Sequence, residues 1–454
     1  MIRFAACLLF LALLSSVGVV ARAAPTVDSP RLSALSAAIA AGDHKSLDVF
    51  WREIEASHAP LIEPVPDRPD EILLTFLWRA SADHGASNVA VASPLGEMYR
   101  AHAVPEPLSH LPQTDVWFRT YRTSSRVRFE YALTWPQGRA ANELANDSFT
   151  HRGVTYETFL DPLNPKAMSS RWDEKPDGKN WADKLRRVSY AEGPGAPEEP
   201  FVTERAGIKR GRLTTTEFSS TLLGNNRRIS IYTPPGLPQG SPECDFLLLF
   251  DRAEYVMAVP TPTILDNMQA DRVLRPLVAV FVGNAPGSAR SAELPPNPKF
   301  QSFLREELLP WIRTRYSFTT DPRRAVVGGS SFGGLAAAYT GFTNPDLFGN
   351  VLSQSGSYWW WPGFRYEGRD VDALDADAGW MIRQYATAGK LPLHFYVDVG
   401  SLEGALMLLP NRMFRDLLQA KNYEVTYHEF TGAHDYVMWR STLSAGLMAL
   451  LGGT

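Results

Sequence analysis

The sequence predicts an α/β fold for its second half, built on a mainly parallel sheet with helices on both faces and preceded by an antiparallel, β-sandwich-like part. Three observations carry that expectation. From about residue 206 onward, short apolar runs (RISIYTPP, FLLLFD, LVAVFVGN, RAVVGG, NVLSQSG, LHFYVDVG, VTYHEF) alternate with segments of helical spacing (FQSFLREELLPWIRTRY, SFGGLAAAYTGF, LLPNRMFRDLLQAK). Strands that are apolar on both faces and separated by helices belong to a sheet buried on both sides. Between about 60 and 165, the runs EILLTFLWRA, NVAVAS, DVWFRTYR and RVRFEYALTW are short, β-branched and aromatic, with turn residues between them, which is the pattern of an antiparallel sandwich. At 454 residues with 44% hydrophobic content, the chain is too long for one core and apolar enough for two.

Taken in order, residues 1–23 read as a secretory signal. Arg3 precedes an apolar stretch that ends in the small-residue signature Ala21-Arg22-Ala23, and cleavage after Ala23 would export the mature chain to the periplasm. The alternative is a retained anchor, but no other segment approaches the ~18 apolar residues of a membrane span, so no membrane partner is expected after cleavage. Cys7 falls in the leader and leaves Cys244 alone, which excludes an internal disulfide and cysteine-based metal or redox chemistry. A net charge of -4, from 45 basic and 49 acidic residues, gives no field favouring nucleic acid. Residues 31–57 carry helical spacing broken by Gly42-Asp43 and predict two short helices. Residues 161–205, rich in Pro, Gly and charge, read as a linker or surface connection. The expected division is thus 24–205 for the helices, sandwich and linker, and 206–454 for the α/β unit.

The stretch GGSSFGG at 328–334 sits between the strand-like RAVV and the helical LAAAYTGF. Its G-x-S-x-G pattern falls on Gly329, Ser331 and Gly333 and makes Ser331 the candidate nucleophile, held on a sharp strand-to-helix turn. Ser330 reads as a small structural residue. The backbone N–H of Phe332, at the helix start, is a candidate oxyanion donor.

In α/β-hydrolases the chain order is serine, acid, histidine. His394, His428 and His434 follow Ser331; the first two lie in strand-like runs, whereas His434 lies in the small-residue loop TGAHDYVMW after the last expected strand. His434 is therefore the candidate base. The acid should come from LHFYVDVGSLEG, where Glu403 lies in the loop beyond Gly400 and is preferred; Asp398, within the strand, and a two-residue Ser-His device are the alternatives. A second oxyanion donor should come from the loop after FLLLF, within DRAEY, which brings in Asp251, the Arg252 N–H and Tyr255 as site candidates. No cofactor and no metal enters this chemistry.

At this point the sequence resembles the enterochelin (ferric enterobactin) esterases and their esterase-D-like relatives. The shared stretches are LLLFD followed by PTILDNM, VAVFVGN, FLREELLPWIRTRY, VVGGSSFGGLAAAY, LSQSGSYWW, DVGSLEG and GAHDYVMWR, in that order over about 225–445. Residues 60–165 look like that family's sandwich-like amino-terminal domain without a diagnostic motif. The resemblance implies Ser331 as nucleophile, His434 as base and, by its position relative to Gly400, Glu403 as acid. It also implies the substrate, a ferric catecholate siderophore whose ester backbone is opened to release iron. Many relatives carry Asp-Gly where this chain has Asp251-Arg252, so the oxyanion loop carries a bulky cation here.

Ferric tris-catecholates are polyanions, and guanidinium groups are permanently charged planar donors. Arg252, Arg290 and Arg440 are accordingly expected to supply a basic rim, and Trp359, Trp360, Trp361 and Trp439 aromatic faces. Two other readings compete: a feruloyl- or acetyl-type carbohydrate esterase, and a siderophore-binding protein without turnover.

Overall fold

The computed structural model describes residues 29–80, 89–96, 105–136, 147–151, 154–174, 182–364 and 378–452. The leader read at 1–23 lies outside these residues. The chain enters through helices Pro30–Ala40 and Lys45–Ser57. Ser29 caps the first by accepting the Leu32 N–H (3.2 Å), and Pro30 supplies its preset φ to the first turn. Leu32, Leu35 and Ile39 of this helix pack with Phe50, Trp51 and Ile54 of the next onto Leu77, Val116 and Phe118 of a sheet.

That sheet is four-stranded and antiparallel, in the order Leu61–Val65, Arg68–Arg79, Val116–Ser124, Ser109–His110. Alternation along Arg68–Arg79 separates its two duties. Ile72, Leu74, Phe76 and Trp78 enter the sandwich core with Phe129, Tyr131, Leu133 and Trp135 of the facing sheet, while Leu77 turns toward the helices. The facing sheet runs Ala167–Glu174, Ala182–Glu192, Arg128–Pro136, Ala90–Ala92, Glu106–Pro107, and the hairpin of Asp147–His151 and Val154–Phe159 joins it along Arg128–Pro136.

Strands Ala167–Glu174 and Ala182–Glu192 fall in the stretch whose composition reads as a linker, and this is a correction to the sequence expectation. They need few apolar positions because Met168 and Val188 do not build the sandwich core. They pack instead with Tyr255, Val259 and Ile264 of the second half. A strand that serves as a junction can afford a charged, irregular sequence.

The second half is an eight-stranded sheet in the order Arg212–Ser220, Asn225–Thr233, Leu277–Val282, Asp245–Phe250, Ala325–Ser330, Asn350–Gln354, His394–Gly400, Glu424–Phe430. The first two neighbour pairs are antiparallel and the rest parallel. The run FLLLF shows why these strands are continuously apolar. Phe246, Leu248 and Phe250 belong to the core on one face, with Phe303, Leu335 and Phe414, whereas Leu247 and Leu249 belong to the core on the other, with Ile264, Leu443 and Leu447. Ser331, Ser355, Glu403 and His434 all follow the carboxyl ends of parallel strands, the side on which such sheets place their ligands.

Candidate active site

Ser331 stands between strand Ala325–Ser330 and helix Phe332–Thr343 at φ 58, ψ -120. This backbone conformation is strained for a residue with a side chain, at about 1–3 kcal/mol. The surroundings enforce it: the Ser331 N–H donates to the Gln354 carbonyl (2.9 Å) and the Ser331 carbonyl accepts the Ser357 N–H (3.1 Å). Strand and helix cross so closely that a Cβ on Gly329 would stand 2.8 Å from the Gly333 carbonyl carbon, so the first glycine of the pattern is a steric necessity. The Ser331 hydroxyl lies 3.4 Å from that of Ser357. Ser330 is fully buried in the strand.

Two strands along, Glu403 caps helix Gly404–Ala420 with its carboxylate turned inward and fully buried. One oxygen accepts the Ser355 hydroxyl (2.5 Å) and the Gly400 N–H (2.7 Å); the other meets His434 Nδ1 at 2.6 Å. Both oxygens of this buried carboxylate are thus engaged. With Nδ1 engaged, His434 keeps Nε2 for proton transfer, and its side chain is 23% exposed. Trp439 backs the imidazole edge to face at 4.8 Å and donates its indole N–H to Ser355 Oγ (3.0 Å).

Asp398 has the opposite environment. It is fully buried, neither carboxyl oxygen has a hydrogen-bond partner, and the Ser355 N–H goes to its main-chain carbonyl (2.8 Å). Burial pushes its carboxyl up to about 7. The structure brings Glu403, and not Asp398, to the Nδ1 of His434.

The loop after strand Asp245–Phe250 begins with Asp251 in a left-handed conformation (φ 55, ψ 59) and leads into helix Arg252–Met257. Both Arg252 and Phe332 are thus first residues of helices, whose leading N–H groups lack intrahelical acceptors. The Asp251 carboxylate accepts Arg290 Nε (2.7 Å) and Nη2 (2.8 Å), and Asn284 Nδ2 (2.7 Å). It lies against the serine elbow, since a Cβ on Gly333 would come within 3.3 Å of its Oδ2.

The side chains expected to meet a substrate are corrected here. Arg252 is buried and donates from Nε to Ser230 Oγ (2.6 Å) on strand Asn225–Thr233, two strands away in the sheet. Arg290, a third exposed, forms the bidentate pair with Asp251, which holds the guanidinium above its ordinary range. Arg440 is paired with both carboxylate oxygens of Glu199. Arg290 and Arg440 pair with carboxylates of the chain and Arg252 bonds a buried hydroxyl, so each guanidinium is engaged within the protein. Tyr255 is fully buried, donating to Gln354 Oε1 (2.7 Å). Trp359 packs near Phe332 (5.8 Å) with its indole N–H on Met407 Sδ (3.0 Å), and Trp360 and Trp361 are also buried. Trp439 supports His434 from within the core.

Sequence reasoning passed over Ser355 and Ser357. Ser355 is buried at φ 48 and links Trp439 to Glu403, a role visible only once the strand ends are brought together. The one local signal is a cluster of small polar residues, QSGS, closing an apolar strand.

The sheet order and the serine turn define an α/β-hydrolase fold. Comparison with known proteins adds the family. An esterase family model matches residues 219–450, and the model "Enterochelin esterase, N-terminal" matches residues 73–202. The iron(III) enterobactin esterase of Dickeya dadantii is 28% identical over 417 residues, covering 89% of this chain and 93% of that protein. The iron(III) enterobactin esterase of Escherichia coli K12 is 31% identical over 408 residues, covering 87% and 95%. The crystal structure of the ferric enterobactin esterase of Salmonella typhimurium superposes with a TM-score of 0.68 at 25% identity, covering 89% of this chain and 98% of the other. The chain belongs to the enterochelin esterase family and is a carboxylic ester hydrolase.

Proposed function

We propose that this protein is a serine esterase that opens the ester bonds of a catecholate trilactone siderophore and thereby releases its iron. The observation that carries the serine mechanism is the 2.6 Å contact between Glu403 and His434 Nδ1, in a loop cluster that also holds Ser331 on its strained turn. The siderophore comes from the relatives, which are enterobactin esterases along most of both chains.

In this reading the Ser331 hydroxyl attacks the ester carbonyl while His434 Nε2 takes its proton. Glu403 fixes the imidazole tautomer and stabilises the imidazolium. The N–H groups of Phe332 and Arg252 receive the developing oxyanion. Collapse of the tetrahedral intermediate breaks the ester C–O bond, and the imidazolium returns its proton to the departing alkoxide. Water then enters, loses a proton to His434 and cleaves the acyl-serine bond, which frees the acid and restores the hydroxyl. For a trilactone, each cycle opens one ester. We also propose that residues 1–23 direct the enzyme to the periplasm.

The test is a turnover panel with purified enzyme: apo and ferric catecholate trilactones, feruloyl sugars, acetyl esters and short p-nitrophenyl esters. Efficient opening of a trilactone supports the reading. Efficient hydrolysis of feruloyl or acetyl esters with both trilactones intact would remove the siderophore assignment and leave the serine mechanism standing.

A further inference from the structure

We infer that the amino-terminal sandwich positions the general base, through a clasp that strand Arg128–Pro136 places on the loop carrying His434, with Glu130 as its principal side chain. The inference rests on the reading of His434 as base. The last strand of the hydrolase sheet ends at Phe430 and helix Tyr436–Leu451 begins six residues later, so His434 lies on a short connection. That connection is tied to the sandwich on both sides of His434.

On the amino-terminal side, the Arg128 N–H donates to the Thr431 carbonyl (3.3 Å), and Arg128 and Gly432 form a parallel β-bridge. Ala433 is fully buried among Phe129, Tyr131 and Leu133, so its methyl belongs to the sandwich core and not to the hydrolase core. On the carboxy-terminal side the contacts are reciprocal. The Glu130 N–H donates to Asp435 Oδ2 (3.0 Å), and the Glu130 carboxylate accepts the Tyr436 N–H (3.2 Å). The other oxygen of Asp435 caps the helix by accepting the Met438 N–H (3.0 Å). The approach leaves no room for a larger residue, since a Cβ on Gly432 would stand 2.7 Å from the Arg128 carbonyl oxygen.

The alternation of the strand makes this arrangement possible. Phe129 and Tyr131 face the sandwich interior, so Arg128 and Glu130 point out of it. On an exposed sheet these two would be solvated. Here Arg128 is 4% exposed and donates to Glu192, Pro197 and Ser441, the last of these on the helix that follows His434. The connection that carries His434 is thus held, before and after that residue, by main-chain and side-chain bonds from another domain. A shift of about 1 Å in a catalytic group can cost on the order of 10²-fold in rate, so loosening one bond of the clasp should be readable in turnover.

Glu130 acts through His434 and is a positioning residue. The experiment compares full-length wild type with Glu130→Ala, Glu130→Asp, Glu130→Gln and His434→Ala. It measures kcat and KM on a short p-nitrophenyl ester, the rate of labelling by a fluorophosphonate, and the thermal midpoint. Glutamine keeps an acceptor oxygen at the same reach; aspartate keeps the charge but falls one methylene short of the Tyr436 N–H. Expected are a kcat and labelling rate about tenfold lower in Glu130→Asp and Glu130→Ala, KM within about twofold, and recovery to near wild type in Glu130→Gln. The main-chain bond from residue 130 to Asp435 persists in every variant, which preserves the fold. Wild-type kcat in both Glu130→Asp and Glu130→Ala overturns the clasp, as does a Glu130→Gln variant no better than the alanine. If His434→Ala retains turnover, the assignment of the base fails instead.

Discussion

Replacing Asp398 by asparagine should leave the protein about as stable as wild type near pH 4 and markedly more stable at pH 8. The carboxyl is fully buried without a hydrogen-bond partner, and burial raises its pKa from the ordinary 3.8 to about 7. Because the folded value is raised, both states are protonated below about pH 4 and nothing is lost there. As pH climbs from 4 toward 7, the unfolded chain gives up a proton that the folded chain retains. Stability therefore falls through this window, by up to about 1.4 kcal/mol per pH unit, and levels off above 7. A shift of roughly three units corresponds to about 4 kcal/mol at most. Asparagine is isosteric with the neutral acid and carries no such penalty. Thermal midpoints of both proteins from pH 4 to 8 give the answer by subtraction, since every other titrating group is common to the pair. The difference should grow to roughly 10 °C at pH 8. A difference that stays flat with pH would refute the reasoning. The same variant should hydrolyse esters normally; a loss on the order of 10³-fold would make Asp398, not Glu403, the partner of His434.

Ser331→Ala should lower ester turnover by about 10³-fold or more, and a fluorophosphonate should label Ser331 and leave Ser330 unmodified, as peptide mapping by mass spectrometry would reveal. Glu403→Gln should reduce kcat by roughly 10²- to 10⁴-fold at an unchanged thermal midpoint, because the amide can no longer stabilise an imidazolium at Nδ1; steady-state kinetics with full activity would exclude the acid role. Arg290→Ala should cut kcat/KM on a small neutral ester by about tenfold or more, since it leaves the Asp251 carboxylate uncompensated beside the elbow where negative charge develops. An effect confined to anionic substrates would instead return Arg290 to the role of a substrate-binding rim.

The parallel sheet was legible because its strands are buried on both faces, so FLLLF and LVAVFV read as strands without help from their surroundings. The strands Ala167–Glu174 and Ala182–Glu192 were not, because Met168 and Val188 are apolar for the sake of a distant surface and leave no alternation to find. The site shows the same division. Ser331 was legible because the turn needs small residues at fixed offsets, and Gly329 and Gly333 meet that need at their crossing. Glu403 was preferred to Asp398 for its place in the loop beyond Gly400, but the physical reason lies in the hydrogen bonds around each. Both sit near the end of one strand, and the difference lies in the donors: Ser355, Gly400 and His434 converge on Glu403, and none reaches the carboxyl of Asp398. Two acids five positions apart are equivalent in sequence and opposite in environment.

The arginines show where reasoning from charge fails in a characteristic way. A guanidinium in a sequence is a free cation until its partner is known, and each one expected at the rim turned out to face an acceptor within the chain: Ser230 for Arg252, Asp251 for Arg290, Glu199 for Arg440. A bidentate pair is nearly neutral at a distance, so it supplies direction and rigidity more than field. That matters most at Asp251. Its left-handed backbone starts the helix headed by Arg252, and its carboxylate lies beside Gly333. Left unpaired, an anion there would oppose the oxyanion of any ester, whatever its charge. In the proposed mechanism Arg290 removes that opposition and fixes the loop with two parallel bonds, and its replacement is therefore expected to act on the transition state ahead of the affinity for a polyanionic substrate.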